Sequence, residues 1–234
     1  MNLSIHQPSY FPWLGMLDKI RKSDVFMIMD EVQLSDSLYQ HRNLLMTADG
    51  KTKFLTIPFV RRGYLELPFR KIEVASSDWR SRHLNFIENT YRKHPYVNEV
   101  MPRLEAFFAA DYRLLVDAVV ASMRLSLEFF GIETQVIFQS EMDYDHSLRR
   151  GDVVAALARA AGAKRYISGS GAKAYLNESA FTGDMSLQYN TFHELSYSQK
   201  GSTTFQRGLA CLDAMFNLGI EGSRALLEAS SGDA

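Results

Sequence analysis

Cysteine is nearly absent from this sequence of 234 residues, since Cys211 is the only one. A single thiol excludes an intrachain disulfide, and it excludes a zinc site built from four cysteines or from cysteine and histidine pairs. The sequence therefore fits a reducing compartment, and we expect the protein in the cytoplasm. Cys211 falls within an amphipathic pattern, which favours core packing over a role as a nucleophile.

Neither sign of charge is in excess, because 26 Lys and Arg face 27 Asp and Glu. A formal charge of −1 provides no global field to attract nucleic acid or an anionic membrane, so binding to nucleic acid is not expected. No stretch approaches the ~20 apolar residues that span a bilayer, and the first residues lack the basic and apolar regions of a secretory signal. Membrane insertion is therefore not expected, and local groups must provide any anion binding.

Strand and helix patterns alternate in the N-terminal part of the chain. Residues 3–5 read as a short buried strand that ends before Pro8, residues 14–22 have helical spacing, and residues 25–29 form an apolar run. Two buried strands joined by a crossover helix imply a parallel pair, and ligands bind at the carboxyl ends of such strands.

The alternation resumes in the C-terminal part of the chain. It predicts strands at 134–138, 165–167 and 185–189, a helix at 152–161, and a closing helix that starts near Phe205 and ends at Gly219. We predict an α/β fold with a Rossmann-like, mostly parallel sheet of the nucleotidyltransferase type.

Two insertions interrupt this pattern. Strand-like stretches at 53–58 and 70–74 with a hairpin signal at Asp49-Gly50 predict a small β insertion, and the helical periodicity of the next segment ends at Gly131. We expect a single domain over 1–234, with an α/β core at 1–77 and 132–234, the β insertion at about 44–75, and a helical annex at 78–131.

The most unusual segment is residues 6–15, where two prolines flank two aromatics directly after the first strand. His6 at the end of a buried strand is a candidate acid or phosphate ligand. Gln7, Tyr10 and Trp13 are candidates for binding a substrate or nucleotide. The alternative is a rigid turn that buries the aromatic rings in the core.

Polar residues also follow the second strand. The segment Asp30-Glu31-Val32-Gln33 could hold a ribose hydroxyl, a metal or a substrate amine, with Asp30 as the candidate site residue, and the alternative is a solvated loop carboxylate. Arg42 and Asn43 combine a forked guanidinium with an amide, a pair suited to phosphate or carboxylate.

A small-residue loop follows the strand at 165–167. Ser168 and Gly169 allow backbone N–H groups to approach a phosphate, and Lys173 adds a positive charge. The spacing is not that of a P-loop, and an ordinary turn is the alternative. Residues 143–146 contain metal-ligand types without a defined geometry, so we predict no metal site.

Together these segments resemble the WbqC-like protein family over nearly the whole chain. The matching pieces are, in chain order, His6-Gln7-Pro8, Tyr10, Pro12-Trp13-Leu14-Gly15, Asp18-Lys19-Ile20, Asp24-Val25-Phe26, Asp30-Glu31-Val32-Gln33, Arg42-Asn43, Ser168-Gly169, Lys173, Tyr197, Gln199, Phe205, Leu212-Asp213, Phe216-Asn217 and Gly219. The departures are small: Met16 stands where the family often has an aromatic residue, and Ala210-Cys211 stands where it often has apolar ones.

The resemblance implies a bacterial role in building or decorating sugar nucleotides for O-antigen, the lipopolysaccharide chain, and other surface polysaccharides. It also adds Tyr197 and Gln199 to the candidate binding residues. A weaker similarity to nucleotidylyltransferases and adenylate-forming ligases implies that His6 and the loop from Ser168 to Lys173 grip a triphosphate. In those enzymes a second histidine stands where this chain has Ser9.

Three functions follow as hypotheses. The leading one is a transferase that joins an acyl or aminoacyl group to the amine of a nucleotide-linked amino sugar, with no cofactor required. In it His6 or Asp30 takes the amine proton, while Arg42 and the loop from Ser168 to Lys173 hold phosphate. The second is nucleotidyl transfer or acyl-adenylate formation with ATP and Mg²⁺, and the third is a non-catalytic glycan-precursor binding or scaffold protein. The expected partners are the nucleotide-linked amino sugar and the acyl or aminoacyl donor, and a homo-oligomer stays open.

Overall fold

The structure is a computed structural model that describes residues 1–35, 39–149, 151–174 and 176–232. Its helices and strands are, in chain order, β1 (Asn2–His6), α1 (Leu14–Arg21), β2 (Val25–Ile28), β3 (Arg42–Met46), β4 (Thr52–Thr56), α2 (Trp79–Tyr91), α3 (Val97–Ala109), α4 (Leu115–Phe130), β5 (Gln135–Phe138), α5 (Gly151–Ala160), β6 (Arg165–Gly169), β7 (Ser186–Asn190) and α6 (Cys211–Ala229). Short 3₁₀ turns lie between several of these elements.

A five-stranded parallel sheet forms the centre of the molecule, with strand order β5-β2-β1-β6-β7. The chain moves outward from β1 through β2 to β5, and it then returns to β6 on the other side of β1. Helices flank this sheet, and the predicted α/β, Rossmann-like fold is confirmed. All five strands therefore present their carboxyl ends at one edge, where this class of fold binds its ligands.

The two faces of the sheet belong to different parts of the core because successive strand side chains alternate. Leu3 and Ile5 of β1 pack in a cluster with α5, whereas Phe26 and Ile28 of β2 pack in the larger cluster with α1, α4 and α6. Burial of both faces explains why these strands read as nearly continuous apolar runs in the sequence.

The hairpin of β3 and β4 pairs in antiparallel register from Arg42 opposite Thr56 to Met46 opposite Thr52, with Asp49 and Gly50 in the turn. The expected strand at 70–74 is reduced to isolated antiparallel bridges of Glu73 with Leu114 and of Val74 with Phe59. Phe69–Lys71 form a 3₁₀ turn instead, because Phe69 and Ile72 are both buried and their spacing of three places them on one side of such a turn.

Helices α2, α3 and α4 follow the hairpin, and Gly131 ends α4 in a left-handed conformation with φ 63°. Trp79 of α2 is fully buried, and its ring lies against those of Phe107 and Phe108. These helices therefore share the larger core cluster with α1 and α6.

The closing helix differs from its predicted bounds at both ends. It begins at Cys211 rather than near Phe205, because Gly208 takes a left-handed φ of 68° just before it. Gly219 interrupts the helix with φ 75° and ψ 177°, a conformation nearly restricted to glycine, but helical structure resumes and continues to Ala229. Within the described ranges, no helix has the length and apolar character needed to cross a membrane.

Candidate functional site

A cavity of about 1090 Å³ lies at the carboxyl edge of the sheet. His6 at the end of β1 lies at its floor, and its wall includes Glu31 after β2 and Gln139 after β5. Trp13 from the loop after β1 and Asn43 at the start of the hairpin also line it. The volume slightly exceeds the roughly 300–1,000 Å³ typical of small-molecule sites, so a large ligand fits here.

The hydrogen bonding of His6 defines which of its ring nitrogens carries the proton. Its Nδ1 lies 2.9 Å from the Gln7 carbonyl oxygen, and because a carbonyl only accepts, Nδ1 is the protonated nitrogen. Desolvation, followed by the charge of Lys19, lowers the pKa of His6 to about 4. One side of the ring is exposed to the cavity, and protein atoms surround the rest of it. A lowered pKa is the direction expected for an imidazole in such a position. At neutral pH the imidazole is therefore uncharged, and Nε2 keeps a lone pair for a substrate proton.

Lys19 of α1 lies behind this strand end. Its Nζ donates to the carbonyl oxygen of Ile5 at 3.1 Å, and the side chain is buried. Burial lowers the pKa of Lys19 to about 8. The lysine thus holds β1 one residue before His6, and its charge disfavours a second positive charge on the imidazole.

The loop after β1 places one of its aromatic rings in the core and another at the cavity. Tyr10 is fully buried, and its hydroxyl lies 3.0 Å from His83 Nδ1. A ring with no accessible face cannot stack on a ligand, so the binding role predicted for Tyr10 does not fit this structure. Trp13 lines the cavity with 39% of its surface exposed, and its ring packs edge-on against Phe192. Gln7 also lines the cavity.

Asn43 lines the cavity and supports the same loop. Its Nδ2 donates to the carbonyl oxygens of Tyr10 at 3.0 Å and Phe11 at 2.7 Å. Phe11 has a strained φ of 41°, and its N–H donates to Ser122 Oγ at 3.1 Å. Asn43 therefore positions the loop rather than offering its amide N–H groups to a phosphate.

Asp30 needs the clearest correction. Its carboxylate is buried and accepts two hydrogen bonds from Ser140, from the backbone N–H at 2.9 Å and from Oγ at 2.6 Å. Asp30 does not line the cavity in the described part of the chain, whereas Glu31 does. Asp30 thus joins β2 to the turn after β5, and the geometry does not support it as a catalytic base.

The predicted phosphate ligands also lie elsewhere. The guanidinium of Arg42 stacks 4.3 Å from the ring centre of Phe54. Ser168 is fully buried, the next residue Gly169 ends β6, and Lys173 Nζ lies 4.7 Å from the ring centre of Tyr189. As far as the structure describes the chain, these four predicted residues do not line the cavity. The ordinary-turn alternative therefore fits the loop better than a phosphate grip.

Tyr197 and Gln199 belong to a buried structural cluster. The hydroxyl of Tyr197 donates to Asp213 Oδ2 at 2.9 Å, and Gln199 Nε2 donates to the same oxygen at 3.2 Å. The hydroxyl of Tyr91 donates to Asp213 Oδ1 at 2.8 Å. Both predicted binding residues thus hold the start of α6, and the cavity lining among the described residues excludes them.

The polar residues that line the cavity include Glu31, Tyr144, His146 and Arg149. Glu31 belongs to the segment that the sequence predicted to hold a ligand, whereas the segment with Tyr144 and His146 was considered only for metal and Arg149 was not predicted. Among the described residues, no group of three or more His, Cys, Asp or Glu side chains could hold a metal ion. The wall does contain a carboxylate, a phenol, an imidazole and a guanidinium, from Glu31, Tyr144, His146 and Arg149.

His83 is expected to make stability depend on pH. Its Nε2 donates to the Thr56 carbonyl oxygen at 3.2 Å, and burial lowers the pKa of His83 to about 4. Between this value and the ordinary pKa of about 6.5, the unfolded chain binds a proton that the folded chain does not. The contribution of His83 to the free energy of unfolding is therefore fully present above about pH 6.5. As the pH falls towards 4, up to about 3 kcal/mol of this free energy is lost, at ~1.4 kcal/mol per pKa unit.

Urea denaturation of the wild type and of His83→Gln at several pH values tests this expectation. The variant lacks the titrating ring, so its free energy of unfolding should fall less between about pH 6.5 and pH 4.5. Equal pH dependence in the two proteins would assign the effect to other groups, among them His6, whose pKa is shifted in the same direction.

The chain is similar to a known protein family over most of its length. The model of the WbqC-like protein family matches residues 7–225. The chain belongs to the WbqC-like protein family. A relative in Mycobacterium tuberculosis, "Uncharacterized protein Rv1507c", is 24% identical over 222 residues, which cover 94% of this chain and 94% of the relative. No solved structure matches the chain. The part of this WbqC-like protein that matches the family model begins one residue after His6 and contains the other cavity-lining residues named above.

Proposed function

We propose that this WbqC-like protein is an enzyme that transfers an acyl or aminoacyl group to the amine of a nucleotide-linked amino sugar for surface-glycan synthesis. The observation that carries the proposal is the neutral His6, whose Nε2 is free to accept a proton at the floor of the cavity. The sugar-nucleotide part of the proposal follows from the role in surface polysaccharides that the resemblance to this family implies. We place the reaction in the cytoplasm, where the lone Cys211 stays reduced.

The size and lining of the cavity suit a ligand with an aromatic base and a charged linker. Trp13 and Tyr39 line it with 39% and 45% of their surfaces exposed, so either ring can stack on a base or sugar. Arg149 contributes a guanidinium to the wall, and three backbone carbonyls of its own loop hold its Nη1. We assign the diphosphate to Arg149 rather than to Arg42.

The amine reacts as the free base, so a bound ammonium first releases one proton to solvent, and His6 is placed to take the second proton as the amide forms. As the amine nitrogen attacks the carbonyl carbon of the donor, the new C–N bond forms and Nε2 takes the amine proton. The bond between the carbonyl carbon and its leaving group then breaks, and the imidazolium returns the proton to the leaving group. A base that is uncharged at neutral pH can act in this way, and general acid–base catalysis contributes about 10²–10⁴-fold.

The ATP-dependent alternative receives less support from the geometry. It relied on the loop from Ser168 to Lys173 to grip a triphosphate opposite His6, but the described cavity lining does not include that loop. The lysine charge instead lies over the Tyr189 ring.

A thermal-shift experiment tests the proposal. The purified protein is heated with UDP-linked and dTDP-linked amino sugars, with ATP and Mg²⁺, and with buffer alone. A ligand at 100 times its Kd adds ~2.7 kcal/mol of stability, so a sugar nucleotide that binds should raise Tm by several degrees. A shift with ATP and Mg²⁺ alone would replace the proposal by the adenylate-forming alternative. No shift with any compound would favour the scaffold hypothesis.

A further inference from the structure

We propose that Glu31 is the receptor for the positively charged amine of the substrate. Its side chain lies just beyond β2, is 21% exposed, and lines the same cavity as His6. This inference rests on the proposed function and deepens it, because it assigns the amino group of the sugar to one wall of the cavity.

The position of Glu31 relative to His6 follows from the sheet. His6 of β1 stands opposite Ile28 of β2, and the Met29 N–H donates to the His6 carbonyl oxygen at 2.8 Å. Neighbouring strands lie about 4.8 Å apart, so Glu31 and His6 leave the sheet at the same edge on adjacent strands. An amine held by Glu31 therefore lies in the cavity that the His6 imidazole also lines.

The two oxygens of Glu31 have different surroundings. Oε1 lies 3.4 Å from Arg70 Nη2, and Arg70 does not line the cavity in the described residues. Oε2 lies 3.4 Å from the Tyr144 hydroxyl and 3.9 Å from His146 Nδ1, and both of those residues do line it. The contacts on Oε2 are long, and a carboxylate accepts up to about four hydrogen bonds, so Oε2 keeps accepting capacity on the cavity side.

The groups around Oε2 are held in place before a ligand binds. Gln139 Nε2 donates to the Tyr144 hydroxyl at 2.7 Å, and the rings of Tyr144 and His146 pack with centres 4.3 Å apart. The backbone next to Glu31 is held as well, because Asp30 accepts two hydrogen bonds from Ser140. Little reorganisation is then needed when the amine arrives.

The chemistry of this wall suits an ammonium group better than a metal or an anion. A primary ammonium offers three N–H donors, and the wall offers a carboxylate, a phenol oxygen and an imidazole. The described residues do not provide the three ligands that a metal ion needs. Placing the carboxylate and the Arg149 guanidinium on one cavity wall also lets a zwitterionic ligand bind in a single orientation.

Isothermal titration with two matched ligands tests the assignment. UDP-glucosamine carries a free amine, and UDP-N-acetylglucosamine has the same nucleotide and sugar without the charge. The wild type should bind the amine more tightly, and Glu31→Gln should bind it about 10- to 100-fold more weakly while its affinity for the N-acetyl compound stays within about threefold of wild type. Glu73→Gln is the matched control, because Glu73 also pairs with an arginine, Arg113, at 2.9 Å but lies outside the cavity lining of the described chain.

The outcomes separate this inference from the proposed function. If the amine binds and Glu31→Gln binds it as well as the wild type does, the assignment of Glu31 is overturned while the proposed function stands. If neither sugar nucleotide binds the wild type and no sugar nucleotide of the thermal-shift panel does so either, the proposed function fails. In that case NMR titration with free glucosamine and N-acetylglucosamine tests Glu31 alone, and a preference for the amine that disappears in Glu31→Gln supports it, whereas no preference overturns it. If Glu31→Gln does not fold, Tyr144→Phe replaces it, with a smaller loss of amine preference expected and an unchanged preference contradicting the assignment.

Discussion

Replacing His6 by Gln is expected to lower turnover of the amine acceptor by about 10²–10⁴-fold, because the variant keeps a polar side chain but has no basic nitrogen. Ligand affinity should change much less, since the cavity walls stay intact. The wild-type rate should also fall as pH approaches 4, where protonation removes the lone pair on Nε2. Initial rates across a pH series, with titration of the same ligand, measure both effects.

The control for this experiment is His193→Gln, because His193 is exposed and lies outside the cavity lining of the described chain. That variant should keep the wild-type rate and pH profile. Equal losses of rate and affinity in His6→Gln would identify His6 as a binding group rather than a base. A wild-type rate in His6→Gln would remove it from the mechanism.

Replacing Asp213 by Ala is expected to lower the free energy of unfolding by at least about 3 kcal/mol, since each buried donor left unpaired costs about 1–3 kcal/mol. Asp213 is fully buried and accepts hydrogen bonds from Tyr91, Tyr197 and Gln199. Burial raises the pKa of Asp213, and its three donors oppose that shift. Urea denaturation monitored by circular dichroism measures the loss.

A surface carboxylate provides the control. Asp184 pairs with Lys164 at 2.8 Å but is largely exposed, so Asp184→Ala should leave the unfolding midpoint close to that of the wild type. Equal midpoints for the two alanine variants would contradict the structural role given to the Asp213 cluster. Tyr197→Phe should likewise lower stability without changing affinity for a sugar nucleotide, because Tyr197 contacts Asp213 rather than the cavity.

The neighbours Asp30 and Glu31 show what the sequence pattern could not predict about the site. Asp30 and Glu31 follow the same strand, and both are acidic, so the pattern gave no physical basis for selecting Asp30 as the residue that faces a ligand. In the structure Asp30 accepts hydrogen bonds from Ser140, which lies 110 residues further along the chain, and Glu31 lines the cavity. Tyr10 and Trp13 could not be told apart by pattern either. They lie three residues apart in one loop, yet the Tyr10 ring is buried in the core and the Trp13 ring lines the cavity.

Local periodicity determined the architecture of this protein. Short apolar runs separated by helical spacing imply parallel strands with crossover helices, and that connection places His6 at the ligand-binding edge. Only the tertiary structure decided which polar groups share the cavity, because their partners are distant in sequence: Ser140 for Asp30, Phe54 for Arg42, Asp213 for Tyr197 and Gln199. Strand and helix propensity depends on neighbouring residues, whereas the direction of a side chain at a loop depends on contacts that form when the chain folds.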